Sequence, residues 1–580
     1  MIDDRYADAF GNPVTVSPET MAAMRDALGD DGAIAAPVRV VRRHELESPM
    51  EIGYYGDLIV VPDQAYVPPE LDRASMWGIA AQLYSLRSSA NDGIGDFSDL
   101  ARLATSAARA GASTIALNPL HQGHLTNPAA ASPYAPLSRR YLNALSIDVR
   151  GAAREFGVSL SDFDTRALRD APLVDYPAVA AYKREALERC FDALAERRPW
   201  AGFADADPHL RDVARYEAIM DVLTTLDDEI YGWRDWPHEL RDRRNVAVDR
   251  FAAQHASRVE FYIFVQWLAD RQLSAAADAA HALPLGLYRD LAVGVDLNSA
   301  DVWCDPDAYV LGLSVGAPPD PLNVAGQNWG LPPLHPRVLR ERRYEPFIDL
   351  LRANMRHAGV LRIDHVMGLK RLFCIPRACP EGGAYVNYDF DAMLGIVALE
   401  SVRNRCMIVG EDLGTVPEGF RERTSAARIF SCRVLLFERE WDGAFRAPDA
   451  YPQDAVASTG THDLPTLAGF LNGADDATRE RLLDALVGAG CLEPDAGNQL
   501  TALLVAAYRY LARARSRLLL LPLEDAIGST EQVNVPGTVD ERPNWRRKLS
   551  VPIEDLMQHP ICSAIVGALR DVRLREGGAA

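Results

Sequence analysis

From Met76 onward, short apolar runs bounded by Gly, Asn, Asp or Pro alternate with longer segments of helical period. The runs are Trp77–Tyr84, Thr114–Leu117, Leu285–Val295, Val360–Ile363, Met407–Gly410, Arg433–Phe437, Ala455–Thr459 and Arg517–Leu523. Between them lie amphipathic stretches such as Phe97–Ala110, Arg337–Ala358, Ala392–Arg403 and Gln499–Ala512. Near-continuous apolar strands that alternate with helices predict a parallel sheet covered on both faces. Eight of them predict an α/β chain built as a closed (β/α)8 TIM barrel. The alternation has one large gap, about 165 residues between the second and third runs. Lys183–Arg198 and Phe251–Ala280 there are helical in period, which predicts a mostly helical insertion at about 150–283, on the second βα loop near the barrel mouth.

Residues 1–70 read as a short N-terminal unit, too small for an independent core and expected to pack on the remainder of the chain. In it Ser17-Pro18-Glu19 opens a helix to the Gly29 region, with Ser as N-cap and Pro at the first helical position. Residues 71–580 form the catalytic barrel. The acidic N-terminus has no apolar stretch behind it, unlike a secretory signal. No run of about 18 apolar residues suggests a membrane span. A net charge of −20 repels phosphate backbones and anionic lipid, so neither nucleic acid nor membrane is an expected partner. The eight scattered cysteines fit buried reduced thiols of a cytoplasmic protein. His121 and His124 have no acidic or thiol partner at ligand spacing and read as loop residues.

In such a barrel the catalytic groups come from the C-terminal ends of strands. Run four ends in Arg362-Ile-Asp364-His365, run five in Glu411-Asp412, run six in Phe437-Glu438 and run seven in Thr461-His462-Asp463, so carboxylates close four consecutive strands. Strand period two puts Arg362 and Asp364 on the same face, and an Arg that close is expected to lower the Asp pKa, as suits a nucleophile. Two inward carboxyl groups on adjacent strands suit glycosidic bond chemistry, one attacking the sugar and one protonating the leaving oxygen. The acid needs a pKa raised by burial and nearby negative charge. Asp364 and Glu411 fit these two roles, and Asp463 could support positive charge growing on the sugar ring.

The matching segments identify a family. Gln82-Leu-Tyr-Ser-Leu-Arg87, Ser132-Pro-Tyr-Ala-Pro-Leu-Ser-Arg-Arg140, Leu287-Tyr-Arg-Asp-Leu-Ala-Val-Gly294, Gly316-Ala-Pro-Pro-Asp320 and Gly326-Gln-Asn-Trp-Gly-Leu-Pro-Pro333 stand in order. The core motifs are Arg362-Ile-Asp-His365, Gly410-Glu-Asp-Leu-Gly414 and Thr461-His-Asp-Leu-Pro-Thr466, followed by Asn534-Val-Pro-Gly537 and Asn544-Trp-Arg-Arg547. Over roughly residues 70 to 550 the chain resembles the amylomaltases, the bacterial 4-α-glucanotransferases of glycoside hydrolase family 77. The resemblance implies a barrel with inserted helical subdomains and no C-terminal β-domain. It implies Asp364 as nucleophile, Glu411 as general acid/base and Asp463 as transition-state stabiliser, with Arg362, His365 and His462 beside the sugar. Segment 316–336 matches the loop that covers the family's active site, and its six prolines and three glycines resist helix and strand alike. Within it Asp320, Gln327 and Trp329 match positions expected to contact glucan.

Three departures stand out. Pro321 and Leu322 follow Asp320 where some members place aromatic residues, which alters the expected grip on long or curved glucans. Asp92 stands where relatives often have an aromatic, which points to a different acceptor subsite. Residues 1–70 look like a shortened form of the β-rich N-terminal domain of longer bacterial members. The implied reaction is transfer of α-1,4-glucan segments between malto-oligosaccharides through a covalent glycosyl-enzyme, with no metal or organic cofactor. The alternatives are an α-glucan hydrolase on the same barrel, which the carboxylates alone do not separate from a transferase, and a non-catalytic glucan-binding protein, which all three carboxylates argue against. Oligomeric state is not legible in the sequence.

Overall fold

The computed structural model describes residues 1–8, 10–29, 38–46, 50–227, 229–320, 323–494, 499–538 and 541–573. Eight parallel strands close into a barrel: β1 (Met76–Ala81), β2 (Ile115–Leu117), β3 (Leu287–Leu291), β4 (Val360–Ile363), β5 (Met407–Gly410), β6 (Phe430–Val434), β7 (Ala455–Ser458) and β8 (Leu518–Pro522), with β8 paired back to β1. Each apolar run of the sequence overlaps a barrel strand, as the (β/α)8 reading requires. The sixth run is displaced, because the strand lies three residues earlier than Arg433–Phe437. Leu435 to Phe437 belong to the loop after it, so Glu438 does not close a strand. It binds Arg446 at 2.9 Å instead.

The barrel interior is packed by Tyr288, Val360, Met407, Val409, Phe430, Val456, Leu518 and Leu520, all buried. β5 carries no polar side chain, because both of its faces are covered. The outer helices follow the amphipathic stretches with two breaks. Arg337–Ala358 is two helices, Pro336–Glu341 and Glu345–Met355, divided where Arg343 and Tyr344 take left-handed φ of 55° and 60°. Phe251–Ala280 is likewise interrupted at His255, between Val246–Gln254 and Ala256–Ala279.

Between β2 and β3 the chain is mostly helical from Val149–Phe156 to Ala256–Ala279. A four-stranded antiparallel sheet stands on the active-site face, in the order Gln327–Asn328, Leu313–Ala317, Arg371–Pro376 and Ala384–Asn387. The N-terminal residues pack on these insertions. Ile2 bridges Val386, and helix Pro18–Leu28, capped by Ser17 Oγ accepting from the Thr20 N–H, buries Met24 and Leu28 against Leu313, Val315 and Val386. A three-stranded sheet (Arg39–Arg42, Leu58–Val61, Gly53–Tyr55) lies on helix Phe390–Asn404. Gly395 permits that approach, since a Cβ there would stand 2.8 Å from Val61 Cγ2.

Candidate active site

Register builds the site. Asp290 on β3 is paired directly with Arg362 on β4, so both point into the same layer of the mouth. Arg362 Nη1 donates to both oxygens of Asp290 at 2.6 and 2.7 Å, and Nη2 meets Asp364 Oδ1 at 2.8 Å. One guanidinium therefore joins two carboxylates, a geometry that its planar fork supports and a lysine would not. The Tyr134 hydroxyl donates to Asp290 Oδ2 at 2.6 Å, and its ring stacks on His462 at 4.8 Å. Trp545 backs both rings, 5.5 Å from Tyr134 and 5.2 Å from His462.

Glu411 follows β5 and is 9% exposed. Its Oε2 accepts from the His365 N–H at 2.9 Å and its Oε1 from the Leu413 N–H at 2.7 Å. His365 reaches that position through a left-handed φ of 46°, uncommon for a non-glycine residue. Gly410 completes the corner, because a Cβ there would meet both Val366 methyls at 2.9 Å, and Val366 N–H bonds the Glu411 carbonyl. The neighbouring Asp412 turns away to Arg421, Arg433 and the Cys432 N–H. Beyond β7, Asp463 accepts from Asn534 Nδ2 at 2.6 Å and faces His462 Nε2 at 3.4 Å.

These surroundings separate the three carboxyls. Burial pushes Asp364 from the ordinary 3.8 up to about 6; Arg362 opposes the rise, while Asp290 and Glu411 add to it. The expected lowering by Arg362 is therefore overturned, because desolvation outweighs a cation that Asp290 already neutralises in part. Glu411 is also raised, chiefly by burial, against the pull of Arg362 and the two N–H donors and with the help of Asp412. Burial acts on Asp463 in the same direction, but His462 and Asn534 outweigh it and hold this carboxyl below its usual range. His462 loses proton affinity to burial and regains more from Asp463, so its imidazole stands above the ordinary value.

The residues expected to catalyse or to contact glucan all line one cleft of about 1180 Å³: Asp320, Gln327, Trp329, Arg362, Asp364, His365, Glu411, His462 and Asp463. Trp329 meets His365 edge-on at 5.4 Å, and its indole N–H donates to Gln327 Oε1 at 3.1 Å. Asp320 accepts from the Asn323 N–H at 2.6 Å, which shapes the covering hairpin between Leu313–Ala317 and Gln327–Asn328. Pro321 and Leu322 lie outside the described residues. Asp92 does not face the cleft; it is buried and bonded to Arg150 Nε at 2.6 Å. His121 is likewise buried, in a two-residue strand rather than a loop, and its Nε2 accepts from the Ala292 N–H.

Sequence reasoning assigned no role to Asp290, Tyr134 or Asn534, although each stands in one of the family motifs. Asp290 was findable: it is the one acid within the third run, and it sits at period two from Tyr288, an interior residue.

A family model described as 4-alpha-glucanotransferase, of glycoside hydrolase family 77, matches residues 81–554. A 4-alpha-glucanotransferase of Haemophilus influenzae is 38% identical over 551 residues, covering 86% of this chain and 78% of that one. The Mycobacterium tuberculosis 4-alpha-glucanotransferase is 36% identical over 571 residues, with 88% and 77% covered. Among solved structures, an amylomaltase from Corynebacterium glutamicum superposes with a TM-score of 0.83 at 26% identity, over 98% of both chains. An amylomaltase from Streptococcus agalactiae in complex with acarbose shares the fold, with a TM-score of 0.72 at 17% identity over 85% of this chain and 98% of that one. The match spans the barrel from the end of its first strand to beyond its last and takes in every motif that lines the cleft, and on that ground this chain belongs to glycoside hydrolase family 77, the 4-alpha-glucanotransferases.

Proposed function

We propose that this chain transfers α-1,4-glucan segments between malto-oligosaccharides by a retaining double displacement. Asp364 attacks the anomeric carbon, Glu411 gives its proton to the departing sugar oxygen, and a covalent glycosyl-enzyme forms. Glu411, now a base, takes a proton from the 4-hydroxyl of the acceptor as the new bond is made and Asp364 leaves. Asp463 stays ionised throughout and faces the positive charge that builds on the sugar ring. The observation that carries this assignment is the division of the carboxyls: Glu411 is raised and Asp463 lowered, the states required of an acid and of an anionic stabiliser. Arg362 and Asp290 hold Asp364 in place, and Asp320, Gln327, Trp329, His365 and His462 contact glucan along the cleft. Transfer rather than hydrolysis rests on the family and on the hairpin that covers the cleft and limits water.

The reading includes a cytoplasmic location, where the eight thiols stay reduced. The test is incubation with maltotriose alone. Glucose together with maltotetraose and longer products is the expected outcome; glucose and maltose with nothing longer would make the chain a hydrolase.

A further inference from the structure

Adjoining the cleft, the barrel mouth holds a smaller space of about 130 Å³ that Arg362, Glu411 and His462 also line. Gln82, Tyr288 and Glu524 complete its lining. Gln82 Oε1 is buried with no hydrogen-bond partner, and so is the hydroxyl of Tyr84, two residues on. Glu524 follows β8, and its side chain has no hydrogen bond to another residue among those described. Its neighbour Asp525 is by contrast fully engaged, accepting from Thr459 Oγ1 at 2.6 Å, Tyr508 OH at 2.8 Å and the Leu467 N–H at 2.8 Å. A space this size, with the unpaired Gln82 Oε1 on its wall, has room for several waters.

Tyr134 commits its hydroxyl proton to Asp290, so its oxygen is left to accept from His462 Nδ1, 3.4 Å away. His462 Nε2 faces Asp463 Oδ2. Both ring nitrogens thus face acceptors, which is the environment of a doubly protonated imidazole. Arg362 opposes that cation, whereas Asp463 and Asp290 favour it.

We propose that Glu524 is a positioning residue of the transfer reaction, a carboxylate that acts through the water of this chamber to keep His462 doubly protonated between Asp463 and Tyr134. The charged and titratable groups near Glu524 are His462, its neighbour Asp525, Tyr84 from the turn after β1 and Tyr508 from helix Leu500–Ala512. Helix Pro560–Arg573, packed outside, buries Ile565 and Leu569, and its Arg570 and Arg573 are spent on backbone carbonyls. Burial and Asp525 push the Glu524 carboxyl up to about 7, so it ionises within the working range of a neutral enzyme. The inference rests on the transferase reading for its kinetic arm alone.

Glu524→Gln keeps the volume and removes the charge. The imidazole titration of His462, followed by NMR without glucan and assigned by its loss in His462→Asn, should fall by about 0.5–1 pH unit. The alkaline limb of kcat/KM for maltotriose should move by the same amount, a loss of about three- to tenfold on that limb. Glu524→Asp, which retains the charge, should stay near the wild-type titration. An unmoved His462 titration in Glu524→Gln would overturn the proposal. Equal shifts in both variants would assign the effect to packing and overturn it too. If Glu524→Gln does not fold, the wild-type titration decides: His462 must show a second inflection as Glu524 ionises, and a single sigmoid refutes the coupling. Absence of products longer than maltotriose from the wild-type chain would refute the transferase reading while leaving the titration arm intact.

Discussion

A carboxylate kept ionised in a buried site costs stability, and Asp364 allows the cost to be measured apart from the chemistry. Its pKa stands at about 6 in the fold against an ordinary 3.8, so the fold favours the neutral carboxyl. The sign follows by linkage. The stabilising contribution of the protonated form is complete below about 3.8 and is lost as pH rises through about 6. Two pH units correspond to about 3 kcal/mol, which the wild-type chain bears in full at pH ~7.5 and about half of which it bears at pH ~5. Asp364→Asn approximates the neutral carboxyl in shape and hydrogen bonding and leaves Arg362 bound to Asp290. It is expected to be more stable than wild type by on the order of 2–3 kcal/mol at pH ~7.5 and about 1.5 kcal/mol at pH ~5. With an unfolding entropy of about 2 cal/mol/K per residue, a chain of this length melting as one unit would gain about 2–3 °C at the higher pH and about 1 °C at the lower. The assay is a pair of thermal melts at each pH by circular dichroism, with maltotriose disproportionation measured on the same samples. Transfer should vanish while the melting point rises. A variant that melts below wild type at both pH values would refute the argument that desolvation dominates at Asp364, and retained transfer would refute its role as nucleophile.

Three further outcomes concern neighbouring groups. Glu411→Gln removes the proton that the leaving oxygen requires and should lower kcat by about 100- to 10,000-fold, measured with maltotriose. Asn534→Ala removes the 2.6 Å bond that helps hold Asp463 below its usual range, so the Asp463 pKa should rise and transfer should fall by about 10- to 100-fold, read as a shift of the acid limb toward higher pH. Arg150→Met leaves the buried Asp92 unpaired and should cost about 3 kcal/mol of stability in chemical denaturation, with maltotriose kinetics unchanged. Altered acceptor kinetics in that variant would restore Asp92 to the cleft.

The apolar runs located the barrel because a strand buried on both faces has to be apolar along its length, and that demand is local. β6 shows where the demand fails. Its residues Phe430–Val434 include Ser431 and Arg433, whereas the more apolar Val434–Phe437 is largely loop. The barrel tolerates the polar strand because Arg433 finds Asp412, a partner 21 residues away in sequence that only the closed sheet brings near. The break at Tyr344 is, by contrast, local: Pro346 lacks the N–H that one continuous helix would need there, and it stands in the first turn of the second piece.

The catalytic motifs were legible because their residues stand at the ends of recognisable strands, and type and place together narrow the chemistry. Proton affinity was not legible. Arg362 stands two residues from Asp364 along β4, and sequence spacing alone argues for a lowered nucleophile. Tertiary structure brings Asp290 beside the same guanidinium and removes water from all three groups, and desolvation then decides the sign. Likewise the motif Leu523-Glu-Asp-Ala526 shows two adjacent acids, but only the fold sends Asp525 to three donors and leaves Glu524 on the space it shares with His462. Sequence by itself determined the strands, the barrel and the carboxylates of this protein, since burial periodicity and residue chemistry are properties of the chain. Tertiary structure decided which charges share a dry space, since electrostatic energies depend on distances and solvent that exist only after folding.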